Sequence, residues 1–84
     1  MITVRYFASI REKLDCGEEV LSLPAAVTDV QQLLEHLVQL HGPVWAEALT
    51  TGTVLIAVNQ TVEKKTAPIR DGDEIAFFPP VTGG

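Results

Sequence analysis

The sequence predicts a single α+β domain in which a mixed sheet packs on one main helix. Three observations carry that expectation. A helix pattern with a start and a stop sits in the middle of the chain, at Thr28 to His41. Short alternating or wholly apolar runs flank it on both sides, as strands do. The chain has 84 residues, enough for one core and too few for a second domain.

The first run, Ile2 to Ala8, alternates. Ile2, Val4, Tyr6 and Ala8 fall on one face, with Thr3, Arg5 and Phe7 on the other, which predicts a half-buried strand. Arg11-Glu12-Lys13 and Asp15-Cys16-Gly17 read as a polar connection with Gly17 in a turn. Glu19 to Leu23 predicts a second strand, ended by Pro24. Thr28 with Gln31 fits a capping box, and Val30, Leu33, Leu34, Leu37 and Leu40 or His41 follow at helical spacing. Gly42-Pro43 supplies the stop, a residue tolerant of a left-handed conformation followed by one that cannot continue the helix.

Beyond it, Val44 to Thr50 suggests a short helical turn around Trp45. Thr53 to Val58 is nearly all apolar, the pattern of a central strand covered on both faces. Asn59-Gln60-Thr61 is a turn into a short edge segment through Val62, and Asp71-Gly72-Asp73 turns into a last strand, Glu74 to Phe78. Pro79-Pro80 ends pairing because neither residue has an N–H to donate. The expected core includes Leu33, Leu37, Ile56, Ile75 and Phe77. A right-handed crossover through the helix brings the first and last strands together at the centre. That is the β-grasp arrangement. The domain is expected over residues 1–80, with residues 81–84 as an extended tail.

Composition excludes several function classes. A net charge of −5, with the six basic residues scattered, argues against nucleic acid or an anionic membrane as partner. No apolar run approaches the ~20 residues of a membrane span. The lone Cys16 cannot form an internal disulfide and suits a reducing compartment, so a cytoplasmic location is expected. His36, His41 and Cys16 lack metal-ligand spacing, and Asp71, Asp73 and Glu74 read as turn residues rather than an acid–base pair. No phosphate-binding loop is present, so the chain is not expected to bind ATP or any other cofactor by itself.

Two features remain. The first is the tail Val81-Thr82-Gly83-Gly84, which fully extended reaches roughly 13 Å at ~3.3–3.6 Å per residue. Most chain ends are simply unanchored, yet a bare Gly-Gly carboxylate permits particular chemistry. Without Cβ it fits a channel too narrow for other residues, and its carboxylate can attack the α-phosphate of ATP to give an acyl-adenylate. The second is apolar surface. Phe7 shares its face with Thr3 and Arg5, Phe78 shares its face with Glu74 and Ala76, and Val62 lies past a turn. Were Phe7 and Phe78 neighbours on an open sheet face, they would form a patch of the kind that marks a protein partner.

The stretch Ala57-Val58-Asn59-Gln60-Thr61 and the C-terminal run Asp71-Gly72-Asp73-Glu74-Ile75-Ala76-Phe77-Phe78-Pro79-Pro80-Val81-Thr82-Gly83-Gly84 closely resemble the small subunit of molybdopterin synthase. Val4-Arg5-Tyr6-Phe7-Ala8 with Arg11-Glu12 is similar to that family as well, while the middle, Glu18 to Leu55, matches in pattern alone. The resemblance implies a ubiquitin-like sulfur carrier. A ubiquitin-activating-like enzyme, using ATP, adenylates Gly84, and sulfur then replaces an oxygen to give a thiocarboxylate. The tail enters the large synthase subunit and passes sulfur to cyclic pyranopterin monophosphate, building the dithiolene of molybdopterin. The resemblance also implies a heterotetramer of two small and two large subunits, with Phe7, Val62 and Phe78 at the interface. Rival expectations are a thiamine-pathway sulfur carrier, a protein modifier conjugated to lysines, and a β-grasp adaptor with an inert tail.

Overall fold

The structure, a computed structural model, describes residues 1–80; the tail residues Val81, Thr82, Gly83 and Gly84 lie outside the described residues. The elements run β1 (Ile2–Tyr6), α1 (Ala8–Leu14), β2 (Glu18–Leu21), α2 (Val30–His41), α3 (Pro43–Thr50), β3 (Leu55–Val58), β4 (Thr61–Glu63) and β5 (Glu74–Phe78). The strands form one sheet in the order β2-β1-β5-β3-β4. β1 and β5 pair in parallel, Val4 opposite Ile75 and Tyr6 opposite Phe77, and the other pairings are antiparallel. First and last strands therefore meet at the centre, and the fold is the β-grasp, or ubiquitin-like, fold.

One face of the sheet packs on the helices. Ile2, Val4 and Tyr6 from β1, Ile56 from β3, and Ile75 and Phe77 from β5 meet Val30, Leu33, Leu34 and Leu37 of α2 in one cluster. Leu33, Leu37, Ile75 and Phe77 have no accessible surface, so the five core residues read from the sequence all lie inside, Ile56 included.

Five local expectations are corrected. Ala8 does not continue β1. It takes a left-handed backbone, φ 52°, that turns the chain into α1, and its side chain is exposed. Arg11-Glu12-Lys13 of the expected polar connection belong to this two-turn helix, which anchors itself through Ile10 and Leu14, four residues apart on one face, while Asp15-Cys16-Gly17 is a turn as expected. The cap of α2 is Asp29 rather than Thr28. The Asp29 carboxylate accepts the N–H of Gln32 at 2.8 Å, while the Gln32 side chain accepts from the Thr28 N–H at 2.7 Å. The cap moves one residue along, and the return bond from Gln32 reaches the residue before the cap rather than the cap itself. Gly42-Pro43 ends α2 as expected, with Gly42 at φ 92°, but the same dipeptide starts α3, where Pro43 occupies the first turn, a position that needs no N–H. What looked like a single turn is an eight-residue helix. Lastly, β3 is interior in the sheet but not covered on both faces: its residues are small or half-buried on the side away from the helices.

An open sheet face and the start of the tail

The uncovered face of the sheet is where the predicted partner residues gather. Arg5 of β1 stands opposite Ala76 of β5, Ala76 opposite Ala57 of β3, and Ala57 opposite Val62 of β4. Residues directly opposite share a face, so one row crosses four strands. In the next row Phe78 stands opposite Leu55, with Phe7 just past the end of β1. The alanines matter most here. Large side chains at positions 57 and 76 would fill the face, whereas alanines leave a groove of about 690 Å³ between the two phenylalanine rings.

Phe7, Ala57, Ala76, Phe78, Pro79 and Pro80 supply its apolar lining, with Arg5, Gln60 and Glu74 on the polar side. Phe7 is 43% exposed and Phe78 half-buried. Phe7 is fixed by its backbone: its N–H donates to the Phe77 carbonyl at 3.1 Å, and its own carbonyl accepts the N–H groups of Ile10 and Arg11. The left-handed Ala8 that follows is an uncommon conformation for a residue with a Cβ, costing on the order of 1 kcal/mol. It lets β1 stop with Phe7 facing outward. Val62 is on the same face, 65% exposed, beside the groove rather than in it. Pro79 and Pro80, the last described residues, form part of the groove wall.

Behind the sheet lies a polar network that sequence reasoning did not find. The Tyr6 hydroxyl donates to the Glu19 carboxylate and accepts the Trp45 indole N–H, each at 3.0 Å. The other Glu19 oxygen accepts from Nε2 of His41 at 2.8 Å, and the His41 ring stacks on Trp45 with centroids 4.1 Å apart. Glu19 and His41 side chains are 17% and 27% exposed. His41 thus closes a ring of contacts joining β1, β2, α2 and α3. Burial pushes the Tyr6 phenol well above its usual pKa; the indole N–H it accepts works the other way, and the nearby Glu19 charge adds to the rise. No pattern along the chain announces this network, because its members meet only once the β1–β2 register and the α2–α3 angle are set.

Among the described residues, no group of three His, Cys, Asp or Glu side chains is placed to hold a metal ion, and no helix is long and apolar enough to cross a membrane. The open face, bounded by Pro79 and Pro80, is the candidate functional site.

The ThiS family model matches residues 4–84. The chain belongs to the ThiS family. Among curated relatives of this family member, the molybdopterin synthase sulfur carrier subunit of Escherichia coli (strain K12) is 44% identical over 84 residues, covering 100% of both chains. The same-named protein of Haemophilus influenzae is 43% identical, again over 100% of both. Among solved structures, SAMP1 from Haloferax volcanii superposes with a TM-score of 0.77 at 25% identity, covering 99% of this chain and 98% of that one. A protein–protein complex of subunits 1 and 2 of the molybdopterin-converting factor from Helicobacter pylori contains a chain that matches with a TM-score of 0.62 at 28% identity, covering 99% and 97%.

Proposed function

We propose that this ThiS-family chain is the sulfur carrier subunit of a molybdopterin synthase and that Gly84 is its reacting residue. One observation carries the reading: Pro79 and Pro80, which follow β5, line the open apolar groove, and only Val81 and Thr82 separate them in sequence from Gly83-Gly84. A partner that grips Phe7 and Phe78 thereby receives the tail in a defined direction. Full-length identity of 44% to a relative named for this role supports the assignment over the thiamine-pathway alternative, and the two-subunit complex formed by a structural relative supports a large-subunit partner.

In this reading Phe7, Val62 and Phe78 dock the large subunit, while Val81 and Thr82 lead Gly83 and Gly84 into a narrow channel. Glycine suits that channel because it lacks Cβ and accepts any φ. The activating enzyme binds ATP; this chain supplies the nucleophile. A Gly84 carboxylate oxygen attacks the α-phosphate, pyrophosphate leaves, and a sulfur nucleophile then displaces AMP from the acyl-adenylate. The resulting thiocarboxylate hands its sulfur to cyclic pyranopterin monophosphate inside the large subunit. The assembly is a heterotetramer of two small and two large subunits working in the cytoplasm.

Reconstitution with the activating enzyme, ATP and a sulfur source tests the reading, with the product read by intact mass. The expected product carries sulfur in place of one oxygen. Deleting Gly84, or adding a residue after it, should abolish that change while the far-ultraviolet spectrum of the fold stays the same. Normal sulfur loading of the deletion variant would end the proposal, and a ladder of lysine conjugates would favour the protein-modifier alternative.

A further inference from the structure

Arg5 lies at the polar side of the groove and is held by two carboxylates. Its Nη2 is 3.2 Å from Oε1 of Glu18 on β2, and its Nε is 3.2 Å from Oε2 of Glu74 on β5. Sheet register explains the meeting: Glu18 stands directly opposite Arg5, and Glu74 stands opposite Thr3, one diagonal away on the same face. Glu74 is the more sheltered acid, its side chain 31% exposed against 50% for Glu18. Its backbone is pinned as well, the N–H donating to the Asn59 side chain and the carbonyl accepting the Asn59 N–H. The three groups sum to one negative charge, fixed beside an apolar floor.

In free solution that imbalance costs little, because water screens it. Covering the groove removes the water, and an ion left without a partner under an interface is then expensive. An uncharged cover leaves one carboxylate unpaired, and an acidic cover makes matters worse. A lysine or arginine brings the cluster to neutrality. We propose that the Glu18–Arg5–Glu74 cluster sets the specificity of docking, and that the occupant of the groove is a protein that rests a lysine or arginine against Glu74 while its apolar residues cover Phe7 and Phe78. The inference rests on the open face being the docking surface for the large synthase subunit, and it adds the charge that subunit must present. The net charge of −5 on the whole chain acts in the same direction at longer range, speeding encounter with a basic surface.

The competing arrangement has a partner carboxylate on Arg5, and binding kinetics of the full chain with purified large subunit, at low and raised salt, separate the two. The double variant Glu18→Gln with Glu74→Gln should bind about tenfold or more weakly, chiefly through faster dissociation, and with a flatter salt dependence. Arg5→Gln leaves both carboxylates and should bind as well as the wild type or better. Thermal melts of these variants should shift little, since the ion pairs are exposed. Wild-type binding by the double variant, or a tenfold loss in Arg5→Gln, would overturn the inference. Phe78→Ala is the control. If it weakens binding while the double variant does not, the charge inference fails and the docking surface stands. If neither Phe78→Ala nor the double variant alters binding, or the wild type fails to bind, the docking surface itself is wrong and the inference falls with it.

Discussion

Tyr6 is the chain's one tyrosine and Trp45 its one tryptophan, so the buried network reports on itself. The phenol is held neutral in the fold, chiefly by burial, whereas in the unfolded chain it loses its proton near the ordinary value of 10.0. Above that pH the unfolded state binds fewer protons than the native one, so stability falls as pH rises. The stabilisation is fully present below pH 10.0 and drains away above it at up to ~1.4 kcal/mol per pH unit. Denaturant titrations across that range, followed by Trp45 fluorescence, should show the slope, with phenolate absorbance appearing only as the protein unfolds. Phenolate forming near pH 10.0 in a chain whose Trp45 signal is still native would contradict it. Residue-level legibility was uneven for a physical reason. Strand alternation sufficed to put Phe7 and Phe78 on outward faces, but Glu19 and His41 are 22 positions apart in the chain, beyond the reach of any local pattern.

Among the elements, α2 was the most readable, and its error is informative. Thr28 and Asp29 are both good caps, and Gln31 and Gln32 each lie three residues on from one of them. The choice falls to Asp29 because the helix must begin at Val30, which is fully buried. Asp29→Ala should therefore cost about 1 kcal/mol, in line with other cap losses, and Thr28→Ala clearly less. Chemical denaturation of the two variants checks the order, and a larger loss at Thr28 would restore the original reading. The short helices were harder. α1 signals itself only through Ile10 and Leu14, a pair that a polar loop could carry equally well. α3 was hidden by its own start, since Gly42-Pro43 says stop to the helix before it more loudly than it says begin. The strands beside turns came through well: β5 runs from Glu74 to Phe78 as expected, bounded by Asp71-Gly72-Asp73 and by two prolines.

For the molecule as a whole, one core joins every layer, so damage anywhere in it should be global. Leu37 has no accessible surface and sits where α2 meets the sheet. Leu37→Ala should lose ~2–5 kcal/mol, a large share of the ~5–15 kcal/mol that holds a small domain, in a single cooperative transition. Denaturation monitored by Trp45 fluorescence and by circular dichroism should give coincident curves, and separate midpoints would argue against one core. The layout was legible at this scale because a helix between strand pairs, with a fixed crossover hand, leaves few ways to build the sheet. The central position of β5 has a consequence for synthesis. Along the chain β5 comes after its parallel neighbour β1 and after every other strand described, so the sheet cannot close until β5 has been synthesised, and β1 must wait with Val4 and Tyr6 unsheltered. A chain that stops early lacks Ile75 and Phe77 for the core and, from the same strand, Ala76 and Phe78 for the groove. The strand that completes folding is thus the one that creates the docking face, and a chain interrupted during manufacture cannot compete for a partner it could never serve.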